Sequence, residues 1–200
     1  MEEKIFFRSG ALEIEGLLEK NSGDRGVAIT HPHPLYGGNM YNPVVEAIAS
    51  SYRRKGYSTL RFNFRGVGKS GGNYENGLGE QGDVISALSY LQELGITLVD
   101  LAGYSFGTVM NAEAVRNGAP AQRMIMVSPP FAFMEFGEPF PLSCLTLVVT
   151  GSHDDFAPPE LLYKILPRWN PEVSVEVIEG ADHFYAGCER QLETILFPHI

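Results

Sequence analysis

The sequence predicts an α/β fold: a mostly parallel central sheet of about eight strands, opened by an antiparallel hairpin, with helices on both faces. Three observations carry this. From residue 26 onward, short apolar runs alternate with segments of helical period, the pattern of βα units. Before that, two strand-like runs, 5–8 and 12–18, are separated by Ser9-Gly10, a hairpin spacing. Finally, the apolar run 97–102 passes through Gly103-Tyr104-Ser105-Phe106-Gly107 into a helix-compatible segment, a strand–turn–helix junction centred on a serine.

Taken in order, Asn21-Ser22-Gly23-Asp24 is a turn, and 26–30 is a short buried strand. It runs into His31-Pro32-His33-Pro34-Leu35-Tyr36-Gly37-Gly38, where prolines and glycines forbid regular structure. Asn42 is a helix N-cap and Pro43 the first helical residue; Val44, Val45, Ile48, Ala49 and Tyr52 share one face, and Gly56 ends the helix. A strand over 58–64 leads to a glycine-rich loop, 65–79. A helix over 81–94 turns Val84, Ile85, Leu88 and Leu91 to the core. The helix 106–117 follows the serine turn and stops at Gly118 and Pro120. Strands follow at 124–127, 145–150 and 173–178, with a short helix over 159–166 and a closing helix over 184–197. No repeat or linker divides the chain, so one domain over residues 1–200 is expected.

Composition narrows the function. A net charge of −9 lacks the basic face that nucleic acid or an anionic membrane needs. Cys144 and Cys188 are too few for a disulfide framework, and no run is long enough to span a membrane or open a signal peptide. A cytoplasmic enzyme is the expectation.

Two serines stand between glycines. Ser70, in Gly68-Lys69-Ser70-Gly71-Gly72, is followed by more loop, whereas Ser105 leads directly into a helix, as a nucleophile elbow requires. The glycines from Gly66 onward also match a dinucleotide fingerprint, but no helix opens there, and Asn63 stands where a phosphate loop needs its first glycine. No cofactor is expected. His31 and His33 could share a metal, but interleaved prolines and the lack of a third ligand speak against it. A serine nucleophile needs a base, and the base needs an acid, each at the C-terminal end of a strand. The segments Gly151-Ser152-His153-Asp154-Asp155-Phe156-Ala157-Pro158 and Glu179-Gly180-Ala181-Asp182-His183-Phe184 supply both, in the order Ser, Asp, His.

With the 31–38 loop, Phe62-Asn63-Phe64-Arg65-Gly66-Val67-Gly68-Lys69-Ser70, the 103–107 elbow and the 180–184 segment, the sequence resembles the α/β-hydrolase superfamily, in particular its small bacterial members without a cap domain. The resemblance implies Ser105 as nucleophile, His183 as base and Asp154 as acid, with Asp155, one residue on, as the alternative. It implies an oxyanion hole from the N–H of Phe106 and, from the 31–38 loop, that of His33, with Leu35 or Tyr36 as alternatives because Pro32 replaces a usual glycine. Asp182 is left to face solvent or cap the following helix, and Arg65 to make a structural hydrogen bond. The interval between 127 and 145 is too short for a cap. Instead Phe131, Phe133, Met134, Phe136 and Phe140 form an apolar wall, with Tyr36 and Tyr41 facing it, or pack as an ordinary surface loop that also suits a homodimer. Leu35, Tyr36, Phe131 and Phe136 are the expected substrate contacts, and short acyl groups should react faster than charged ones. The function expected is hydrolysis of a small ester, thioester or amide through an acyl-enzyme. The alternatives are a non-catalytic ligand- or partner-binding protein of the same fold, and an acyltransferase using the same triad.

Overall fold

The computed structural model describes residues 1–134, 136 and 140–200. Its eight strands form one sheet in the order β1-β2-β4-β3-β5-β6-β7-β8. They are β1 (Glu3–Ser9), β2 (Leu12–Glu19), β3 (Arg25–Thr30), β4 (Ser58–Phe62), β5 (Leu98–Tyr104), β6 (Met124–Val127), β7 (Leu145–Gly151) and β8 (Ser174–Ile178). The hairpin β1–β2 and the β2–β4 pair are antiparallel; every other pairing is parallel. All the loops that leave β3 to β8 at their C-terminal ends therefore gather along one edge of the sheet.

The helices are α1 (Pro43–Arg54), α2 (Leu78–Glu93), α3 (Phe106–Arg116), α4 (Pro159–Ile165) and α5 (Glu189–Leu196). Alternation along the strands divides the core in two. Val27 and Ile29 of β3, with Ile125 and Val127 of β6, pack against α1 and α5. Ala28, Met124 and Met126 point the other way, against α2, α3 and α4. In α1, Asn42 Oδ1 accepts from the Val44 N–H at 2.9 Å, and the five residues expected on its inner face are all buried.

Several boundaries differ from expectation, and three have a clear local cause. β4 stops at Phe62: Asn63 N–H still donates to the Glu15 carbonyl of β2, but Phe64 N–H leaves the ladder for His31 Nε2. α2 starts at Leu78 because the Glu80 carboxylate accepts from the Gly77 and Glu75 N–H groups, a cap written in the sequence three residues ahead of the apolar period. The closing helix starts at Glu189, five residues late. Tyr185 and Gly187 have φ of +57° and +80°, which no right-handed helix accommodates, and Asp182 caps that turn by accepting from the Phe184 and Tyr185 N–H groups.

The glycine-rich loop after β4 is tied down by buried polar groups. Arg65 pairs with Asp83 at 2.7 Å, and Asn63 bridges Glu15 Oε2 and the Met40 N–H. Among the described residues, no helix is long and apolar enough to cross a membrane.

Candidate active site

Ser105 sits between β5 and α3 at φ 53°, ψ −120°, a conformation that costs a non-glycine residue about 1–3 kcal/mol. The turn is possible because both flanking residues lack a Cβ. One on Gly107 would stand 2.8 Å from the Thr30 carbonyl oxygen, and one on Gly103 would stand 2.9 Å from the Gly107 carbonyl carbon. The turn lifts the hydroxyl off the sheet toward the loops that follow β3, β7 and β8.

One of those loops meets the hydroxyl and a second supports it. His183, after β8, brings Nε2 to 2.9 Å from Ser105 Oγ. Its Nδ1 lies 3.0 Å from both carboxylate oxygens of Asp154, after β7. A carboxylate only accepts, so Nδ1 carries the proton and Nε2 is free to accept from the serine. Asp154 Oδ1 also accepts from the Phe156 and Ala157 N–H groups, each at 2.9 Å. Burial pushes this carboxyl up, but the hydrogen bond and charge of His183 outweigh it and hold Asp154 below the usual carboxylate range. Asp155 is exposed and makes none of these bonds, so the geometry separates the two adjacent acids.

The histidine loop is tied back to the elbow. Tyr104, immediately before the serine, donates its hydroxyl to the His183 carbonyl at 2.8 Å. Ser105 and His183 are therefore joined twice, once through their reactive atoms and once through the Tyr104 ring. Tyr185 Oη lies 2.7 Å from Ser128 Oγ and holds the far side of the same loop against the end of β6.

Among the described residues, neither the Phe106 N–H nor the His33 N–H has a protein acceptor. Leu35 N–H donates to His33 Nδ1 and Tyr36 N–H to the His33 carbonyl, so the alternatives in this loop are already occupied. His33 Nε2 lies 3.2 Å from the Tyr74 hydroxyl, and burial lowers the pKa of the ring, so the neutral imidazole donates there. His31 is buried, with Nδ1 2.6 Å from the Pro32 carbonyl and Nε2 accepting from Phe64 N–H. Burial lowers its pKa to about 4, and both ring nitrogens are committed. Among the described residues, no group of three His, Cys, Asp or Glu is placed to hold a metal ion.

A cavity of about 510 Å³ opens over Ser105. Tyr36 lines it, as do Phe133 and Met134 of the expected wall. The other expected contacts lie elsewhere. Leu35 is outside the lining. Phe131 and Phe136 stack on each other at 4.1 Å and meet the Trp169 ring edge-on, so their apolar surface is spent in the core. Phe140 also leans on Trp169, and Tyr41 lies near the Arg61 guanidinium. In their place the cavity takes Phe156 and Phe184, which sequence reasoning missed. The available signal was adjacency: Phe156 stands two residues after Asp154, and Phe184 follows His183.

No protein-family model matches the chain. An uncharacterised protein of Rickettsia prowazekii is 30% identical over 194 residues, spanning 91% of this chain and 82% of that one. Among solved structures, an α/β serine hydrolase homologue from Coxiella burnetii is 30% identical, covers 99% of this chain and 97% of its own, and superposes with a TM-score of 0.86. An α/β serine hydrolase without a lid from Xanthomonas campestris is 27% identical, covers 98% and 91%, and superposes at 0.85. A strained serine between a parallel strand and a helix, met by a histidine and an acid from later strands, thus sits in a frame shared end to end with these proteins, and the chain belongs to the α/β-hydrolase family.

Proposed function

We propose that the protein is a serine hydrolase that cleaves a small ester, thioester or amide through an acyl-enzyme on Ser105. The observation that carries this is the unbroken line of hydrogen bonds from Ser105 Oγ through His183 to Asp154, at 2.9 and 3.0 Å. Ser105 attacks the substrate carbonyl while His183 Nε2 takes its proton and then delivers it to the leaving group. Asp154 keeps the proton on Nδ1 and stabilises the imidazolium that forms. The N–H groups of Phe106 and His33 hold the developing oxyanion; the first lies at the N-terminus of α3, where the helix dipole adds to it. Water, activated by the same histidine, then releases the acid and restores Ser105.

The reading is tested with a fluorophosphonate probe on the wild type, Ser105→Ala and Ser70→Ala. Wild type and Ser70→Ala should label at equal rates and Ser105→Ala not at all. Labelling of Ser105→Ala at the wild-type rate removes the assignment, and no labelling of any form favours a binding protein.

A further inference from the structure

Most of the cavity wall is aromatic, and part of that wall is not buried. Tyr36, Phe133 and Phe184 line the cavity and are also 77%, 62% and 66% exposed. They come from three loops, after β3, β6 and β8, that meet at the C-terminal edge of the sheet. Each continues an inner aromatic surface. Phe133 meets Phe156 at 5.3 Å, Phe156 lies 4.5 Å from the His183 ring, and His183 meets Phe184 at 5.7 Å. Tyr36 lies 4.9 Å from His33, which lies 4.7 Å from Phe106. Single exposed apolar residues are ordinary on a protein surface; three that prolong the walls of one cavity are a patch.

Charge restricts what covers that patch. Among the described residues, no Lys, Arg, Asp or Glu lines the cavity. The carboxylates of Asp155 and Asp182 are exposed beside Phe156 and Phe184, on a chain of net charge −9. A negatively charged occupant would meet like charge and, among the described lining residues, no Lys or Arg.

We infer that the substrate itself covers the rim: an ester or thioester without negative charge, whose apolar chain is longer than the cavity and runs out across Tyr36, Phe133 and Phe184. This deepens the hydrolase reading and rests on it. The cavity opens over the reacting hydroxyl, and these three rings are both part of its lining and exposed, so a chain too long for it can run out along them. Chain that emerges removes apolar surface from water by lying on them.

The test is a pair of chain-length series with purified protein. The acyl group is varied from p-nitrophenyl acetate to butyrate and octanoate, and the alcohol from ethyl to octyl acetate. In at least one series kcat/KM should rise tenfold or more from short to long, and p-nitrophenyl hemisuccinate should trail the butyrate by at least tenfold. Tyr36→Ala, Phe133→Ala and Phe184→Ala should each cut the long-to-short ratio roughly fivefold to tenfold, as loss of one covering ring predicts. Flat ratios in both series, or ratios unchanged in all three variants, overturn the inference, as does a hemisuccinate turned over as fast as the butyrate. If Ser105→Ala abolishes turnover while the ratios are flat, only this inference fails. Turnover retained in Ser105→Ala removes the nucleophile and this inference with it.

Discussion

The chain carries the same short pattern twice, Gly-Lys-Ser-Gly-Gly at residues 68–72 and Gly-Tyr-Ser-Phe-Gly at 103–107, and the two serines are almost equally buried, 8% and 9% exposed. Their partners are opposite in kind. Ser70 Oγ accepts from the Glu15 N–H at 3.0 Å and donates to the Asn63 carbonyl at 2.7 Å, so its hydroxyl stitches a loop to the hairpin. Among the described residues, Ser105 Oγ meets only an imidazole nitrogen, on a backbone bent to positive φ. A hydroxyl whose proton already lies in a good backbone hydrogen bond has nothing to gain by attacking a carbonyl. One held by strain against a base that can take the proton does. Neither burial nor glycine neighbours distinguish them; what the oxygen touches does.

The comparison breaks most directly at the serines. Ser105→Ala should lower kcat by on the order of 10⁶, as loss of a triad nucleophile does, with a thermal midpoint close to the wild type because alanine keeps the Cβ and the same backbone turn. Turnover within tenfold of wild type would erase the distinction.

A second difference is carried by His31, which ties the start of the Ser70 loop to the strand leading into the His33 loop. Its pKa of about 4 lies below the ordinary 6.5. The unfolded chain therefore binds a proton at a higher pH than the folded one, and stability is lost as pH falls from about 6.5 to about 4, by about 3 kcal/mol. Urea melts across that window should show the decline, and His31→Gln should flatten it. A wild-type slope identical to that of the variant would remove this assignment. Asp154, whose pKa is lowered, contributes stability that is lost only at more acid pH.

For Ser70→Ala we expect a loss of about 1–3 kcal/mol in urea denaturation, since Glu15 N–H and the Asn63 carbonyl lose a buried partner, with kcat per folded molecule unchanged. A fall in kcat without destabilisation would give Ser70 a part in the chemistry.

The smallest effect concerns the hydroxyl of Tyr104. Tyr104→Phe releases the His183 carbonyl while keeping the ring. We expect kcat roughly tenfold lower with KM nearly unchanged, because the base is less well placed but the cavity keeps its shape. Equal loss in kcat and rise in KM would point to general loosening of the loop.

Much of this contrast can be read from local order. Ser105 is followed by a segment that can become helix at once, and Ser70 by Gly71, Gly72 and Asn73, which cannot. Asn42-Pro43 marks a helix start that the structure reproduces to the residue, because the cap is a bond between neighbours. The helical spacing predicts a closing helix longer than the one that forms, because the spacing continues through Tyr185 and Gly187, whose left-handed backbone is set by contacts outside the segment, the Tyr185 hydroxyl on Ser128 among them.

By itself, then, the order of residues determines what depends on neighbours in the chain: the alternation of strand and helix, the serine turn, the caps, and the types of group that arrive at the sheet's C-terminal edge. The folded structure alone decides which of two adjacent acids, Asp154 or Asp155, points at the imidazole, and which aromatic rings face the cavity. Phe131 and Phe136 turn to Trp169, while Phe156 and Phe184 turn to Ser105. The reason is physical: an apolar ring gains equally from any apolar neighbour, so its destination is settled by packing across the fold and not by the residues beside it.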